Sequence, residues 1–229
     1  MAYSDIKDPS AHFQTTTYTG NGDSSDDTNA ITNDGNSDLQ PDWVWIKRSD
    51  YDNQHLLFDS TRGVTKYITS DRVDAEGTIA DRLGSFDTDG FTLANNNETN
   101  DNGVTYVAWC WKAGEGTTSS NTDGSITSTV QTNTDAGFSI VTYTGNLQAN
   151  ASIGHGLGVK PSLIITKSRS NTESWEVWSS VLNNGGVGQQ LRLNSANAKF
   201  SAADYYSTPD TSKFYVGPHT GCNGNGYTY

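Results

Sequence analysis

The chain has 229 residues, with 26 Asp and Glu against 14 Lys and Arg, a net charge of −12, and a hydrophobic content of only 33%. Such acidity repels phosphate backbones and anionic headgroups, which argues against nucleic acid as a partner, and no run approaches the roughly 18 apolar residues of a membrane-spanning helix. The polar remainder is mostly Thr, Ser, Asn, Asp and Gly with 11 Tyr, 6 Trp and 7 Phe spread through it, the composition of short strands joined by tight turns and not of a disordered chain.

Met1-Ala2-Tyr3-Ser4-Asp5 has neither a basic segment nor an apolar one behind it, so no export signal is expected. Phe13 to Thr19 reads as a strand that stops at the turn Gly20-Asn21. Asp23, Asp26 and Asp27 follow on a polar loop and are the weak candidates for a calcium site, since hard cations take clustered carboxylates; no other cofactor is expected. Trp43-Val44-Trp45-Ile46, entered through Pro41, is apolar on both faces and reads as an interior strand. Helical periodicity is confined to Asp71 to Leu83, a short stretch containing Gly77.

Asp87-Thr88-Asp89-Gly90 opens like a calcium loop with Glu98 at its twelfth place. Phe91 and Thr92 stand where an oxygen ligand and Gly are needed, so a turn into the strand Phe91-Thr92-Leu93 is expected. Val104 to Lys112 then places Tyr106, Ala108 and Cys110 on one face and Val107, Trp109 and Trp111 on the other, the pattern of a central strand. Cys110 and Cys222 are the only cysteines and imply no disulfide framework.

The second half repeats the first in order. Phe13 to Asn21 returns as Phe138 to Asn146, Pro41 to Lys47 as Pro161 to Lys167, His55 to Ser60 as Trp175 to Ser180, Phe91 to Leu93 as Phe214 to Val216, and Asn102 to Tyr106 as Asn225 to Tyr229. The expected architecture is all-β, two tandem antiparallel β-sandwich repeats spanning 1–112 and 138–229, with an ordered Gly/Ser/Thr/Asn-rich connector over 113–137. The first copy runs on through Val107 to Lys112 and the second has no counterpart of that strand. Either the polypeptide continues beyond Tyr229 or another chain supplies the strand.

Constellations for catalysis are not found. Glu173 and Glu176, three apart, fall on opposite faces of a strand, unlike the carboxylate pair of a glycosidase. His12, His55, His155 and His219 are scattered without metal-ligand spacing, and there is no Gly-Xaa-Ser-Xaa-Gly elbow. No enzymatic activity is expected. Trp175, Trp178, Tyr205 and Tyr206 are the candidates for contact with a glycan or a protein partner, although Trp175 and Trp178 at strand ends more often cap a core. His155-Gly156-Leu157-Gly158 reads as a turn, with Gly supplying positive φ.

Gln40-Pro41-Asp42-Trp43-Val44-Trp45-Ile46-Lys47, Phe58-Asp59-Ser60-Thr61-Arg62-Gly63 and Tyr106-Val107-Ala108-Trp109-Cys110-Trp111-Lys112-Ala113-Gly114 together resemble repeats in virion proteins of marine tailed phages. Ile153 to Pro161 with Ile164-Ile165-Thr166-Lys167 is similar to a signature of phage tail and appendage proteins. The resemblance implies a lectin-like or jelly-roll-like sandwich located in the virion, a non-enzymatic tail fibre or appendage subunit for assembly and host-surface attachment. It would be a homo-oligomer, with a trimer favoured, whose partners are other virion proteins and a host-surface glycan. A carbohydrate-binding module and a capsid decoration or head-fibre protein are the alternatives.

Overall fold

A computed structural model describes residues 6–22, 27–182, 188–202 and 204–229. The chain divides into two compact units, the first made of Met1–Thr69 and Gly77–Thr117, the second of Ser70–Glu76 and Thr118–Tyr229.

The first unit contains β1 (Phe13–Thr19), β2 (Asn29–Ile31), β3 (Trp43–Arg48), β4 (His55–Asp59), β5 (Lys66–Thr69), β6 (Gly77–Thr78), β7 (Leu83–Asp87), β8 (Gly90–Leu93) and β9 (Thr105–Trp111). They form a six-stranded sheet in the order β1-β9-β3-β4-β5-β6 and a three-stranded sheet β2-β8-β7, with antiparallel neighbours throughout. Alternation decides which side chains meet between the sheets. Val44, Ile46, Leu56, Phe58, Tyr106, Ala108 and Cys110 face Ile31, Leu83, Phe91 and Leu93 in one core. Each large apolar side chain buried there stabilises by about 1.5–3 kcal/mol.

The second unit has β10 (Ser119–Asn121), β11 (Ser128–Asn133), β12 (Phe138–Tyr143), β13 (Ala151–Gly154), β14 (Leu163–Thr166), β15 (Glu176–Ser179), β16 (Gln189–Arg192), β17 (Phe200–Ser201), β18 (Tyr206–Ser207), β19 (Lys213–Val216) and one short helix, α1 (Thr220–Asn223). The sheets run β10-β11-β12, β13-β19-β18 and β14-β15-β16-β17. Their core gathers Tyr143, Ile153, Ile164, Trp178, Tyr206, Phe214 and Val216. The chain is therefore all-β, with antiparallel sheets packed around apolar cores.

Two local expectations change. Residues 113–137 are not a separate connector: the boundary lies at Thr117, and β10 and β11 pair with β12 inside the second unit. Asp71 to Leu83 forms no helix. Its first residues belong to the second unit, where Arg169 grips Glu76 at 2.8 Å and Lys167 Nζ donates to Val73 O. Gly77 then starts β6 and Leu83 opens β7 in the core, while Val73, Ala75, Ile79 and Ala80 lie outside any strand and share no helical face.

Both units close on the same motif. Tyr18 stacks on Tyr106, and Tyr143 on Tyr229. Gly20 N donates to Val104 O and Gly145 N to Tyr227 O, each at 2.8 Å, while Gly103 N returns to Gly20 O and Gly226 N to Gly145 O, each at 2.9 Å. Asn21 N and Asn146 N donate to the side chains of Asn100 and Asn223. Gly103 and Gly226 take φ of 73° and 75°, where any other residue would be strained. A set of bonds this specific occurs in both units because the Tyr-Thr-Gly-Asn and Asn-Gly-Xaa-Thr-Tyr segments occur in both.

Candidate functional site

Four of the six tryptophans share the outer face of the six-stranded sheet. Cross-strand register sets Phe13, Trp111, Trp43 and Asp59 in one row and Thr15, Trp109, Trp45 and Leu57 in the next. The opposite face of the same strands is the core, so these rings cannot point inward. Bulk lies outside and the small residues Ala108 and Cys110 lie beneath. Phe13 is 39% exposed and the four indoles are half-buried.

Their rings are held by one another. Trp111 lies between Phe13 and Trp43, with centroids 4.8 Å away on both sides and only 30° between the two indole planes. That spacing is the separation of neighbouring strands, so the stacked rings stand on the sheet and turn edges outward. Trp45 meets Trp109 edge-to-face at 5.9 Å and donates its Nε1 proton to His55 Nδ1 at 3.0 Å, which leaves the His55 ring proton on Nε2. Lys47 closes the row below, its Nζ donating to Arg48 O and Tyr51 O. Such a face offers apolar ring edges that can pack against another surface.

The residues singled out in sequence lie elsewhere. Trp175, Trp178, Tyr205 and Tyr206 are all buried, Trp178 and Tyr206 almost completely. The expectation that they present rings for contact is corrected: Tyr206 Oη bonds Thr166 Oγ1, Tyr205 stacks on His219, and both serve the core. Asp23 and Asp26 lie outside the described residues, so the calcium candidate of Asp23, Asp26 and Asp27 is left with Asp27 alone. Among the described residues no group of three His, Cys, Asp or Glu is placed to hold a metal ion. Asp87 and Glu98 are engaged separately, the former by Ser85 and Thr92, the latter by Arg82.

Glu176 is the one deeply buried carboxylate of the second unit that lacks a partner for an oxygen, Oε2, among the described residues. Burial raises its pKa, opposed by Arg192 at 3.2 Å. Arg192 also lies over the Phe200 ring and lines a cavity of about 220 Å³ with Asn197 and Ala198. Its charge is met by Glu176, so this cavity carries no free cation for an anionic ligand. His155 is a structural group: its Nδ1 accepts from Leu157 N and its Nε2 reaches Asp210 O, within a turn where Gly156 and Gly158 both have φ of 72°.

A family model described as a domain of unknown function, DUF7483, matches residues 8–229. The chain belongs to that family. No curated protein and no solved structure matches this DUF7483 chain. Among its described residues no helix is long and apolar enough to cross a membrane.

The tryptophan face was readable in one respect. Trp43/Trp45 and Trp109/Trp111 each repeat at two residues, which puts each pair on one side of its strand, with the smaller Val44, Ile46, Ala108 and Cys110 between and beyond them. What sequence lacks is the neighbour order β1-β9-β3, which joins the two pairs and Phe13 into one surface.

Proposed function

We propose that the protein is a non-enzymatic structural component of a tailed-phage virion, a tail fibre or other appendage subunit built from two β-sandwich repeats. It associates with copies of itself, a trimer being favoured, and with other virion proteins through the tryptophan face of the first unit. The observation that supports this most is the ring geometry of Phe13, Trp111 and Trp43. Indoles stacked on each other offer edges, which suit packing against another apolar protein surface, whereas a sugar platform requires an open ring face. That favours a structural subunit over a free carbohydrate-binding module. Attachment to host-surface glycans then belongs to the assembled appendage and not to a pocket in this chain. The virion assignment rests on the motif resemblance around Trp43 and Trp109.

The test is protein composition of purified particles from a phage encoding the chain. A fixed stoichiometry of this chain per particle, unchanged by high-salt washing, is the expected result. Its absence from particles, or release of sugar from polysaccharides by the isolated chain, would overturn the reading.

A further inference from the structure

In the first unit β9 fills the space between β1 and β3, bonded to both. In the second unit the strands in the corresponding places are β12 and β14. Among the described residues β12 has ladder partners only on β11, and β14 only on β15. One edge of each is left without a ladder, a costly arrangement for backbone N–H and C=O groups beside a core.

The mouth between those edges is already entered by a strand. Tyr143 and Tyr229 exchange backbone bonds, Thr144 bridges Thr228, and on the other side Arg169 N donates to Thr228 O at 2.8 Å. These reproduce the first turns of β9, where Tyr106 pairs with Tyr18, Thr105 with Thr19, and Ser49 N donates to Thr105 O at 2.9 Å. Continuing the alternation, the backbone groups of Ser139 and Val141 on β12, of Leu163 and Ile165 on β14, and of Lys167 just after it, point into the space beyond Tyr229.

Side-chain exposure reports the same gap. Val44 on β3 is fully buried, and its counterpart Ile164 is 9% exposed; Leu163, in the place of Trp43, is 56% exposed. Thr16 is buried where its counterpart Val141 is only partly so.

We infer that the gap between β12 and β14 accepts one further antiparallel strand with the alternation of β9, laid down in direct continuation of Tyr229. The second and fourth residues after Tyr229 would face Val141, Thr166, Ser139 and Ile164 and must be small and apolar, as Ala108 and Cys110 are. The third and fifth would lie beside Ile140, Ile165, Phe138 and Leu163 and suit aromatic rings, as Trp109 and Trp111 do. A strand from a separate chain would have to begin against the backbone of Tyr229, which already holds the first rung; a joined strand inherits the register.

Residue-resolved amide exchange on the 229-residue chain tests this without any variant. Ser139, Val141 and Ile165 should exchange at least tenfold faster than Ile140, Thr142 and Ile164, whose amides bond β11 or β15. Equal, slow exchange would mean the edges are covered and would overturn the inference. In a second arm, the sequence Val107 to Lys112 is appended after Tyr229. Protection of those amides by tenfold or more supports the acceptor, and no protection, with a scrambled appendage as the control, opposes it. Protection by the same sequence as a free peptide, when the appended form gives none, would assign the gap to a separate chain and overturn the joined strand.

Discussion

Tyr143 stacks on Tyr229 with ring centroids 5.0 Å apart and planes within 15° of parallel. The same pair in the first unit, Tyr18 and Tyr106, stands at 5.0 Å and 10°. In each, the first tyrosine hydroxyl donates into a buried carbonyl, Cys222 O at 2.7 Å or Thr99 O at 2.8 Å. The rings and the hydroxyl bonds together pin the last turn of the first unit to β1 and that of the second to β12.

Tyr143→Phe keeps the ring stack and removes one bond, leaving the Cys222 carbonyl buried without its donor. The expected loss is about 1–2 kcal/mol, and Tyr18→Phe should cost a similar amount. Urea unfolding of the two variants measures it; a loss in one unit with none in the other would break the equivalence.

Asp42 is fully buried, and its carboxylate accepts from Ala113 N, Glu115 N and Gly116 N at 2.7–2.8 Å and from Ser60 Oγ at 2.6 Å. Replacement by Ala strands three backbone donors at once. We expect Asp42→Ala to destabilise by about 3 kcal/mol or more, and Asp42→Asn, which can accept at only one of its two positions, to fall between. Chemical denaturation of both variants checks the order.

Lys167 is buried, and burial pulls its pKa from 10.5 to about 8. Between those values the unfolded chain keeps a proton that the folded chain has released, so Lys167 makes stability rise with pH across that window and contributes no slope below it. The wild-type stability minus that of Lys167→Met should therefore increase from pH 8 to 10.5. Titrations of other groups cancel in the difference. A flat difference would show that the ammonium is better solvated than its position implies.

Burial pushes the Cys110 thiol up from 9.0 to about 12, and that of Cys222 higher still. At pH 8 the reactive thiolate of Cys110 is thus about a thousandfold scarcer than in an exposed cysteine. Neither thiol should react with an aromatic disulfide reagent in the native chain, and both should react on unfolding. Rapid labelling of the folded chain would contradict the packing of both cores.

Local pattern carried much of this fold. Thr-Tyr-Thr-Gly-Asn and Asn-Gly-Xaa-Thr-Tyr announce a strand and turn in each half because positive φ at Gly103 and Gly226 admits little else. The alternation in β9 likewise names its buried and outer faces. Pairing across long separations is not written in any one segment: Asp71 to Leu83 has helical spacing, yet Glu76 is committed to Arg169, 93 residues away. The aromatic candidates failed for a related reason. Tyr206 looks like a surface ring on a short polar strand, and the convergence of three small sheets buries it beside Trp178, whose place at a strand end already suited a core.

The proposed assembly surface is the row Phe13, Trp111 and Trp43 together with Trp109 and Trp45. Sedimentation of the wild-type chain against Trp109→Lys, which sets a charge in the middle of the outer face, tests it most directly. We expect a concentration-dependent oligomer for the wild type and a monomer for the variant, with its near-ultraviolet circular dichroism otherwise native. A wild type that stays monomeric at all concentrations, or a folded variant that associates equally well, would contradict it.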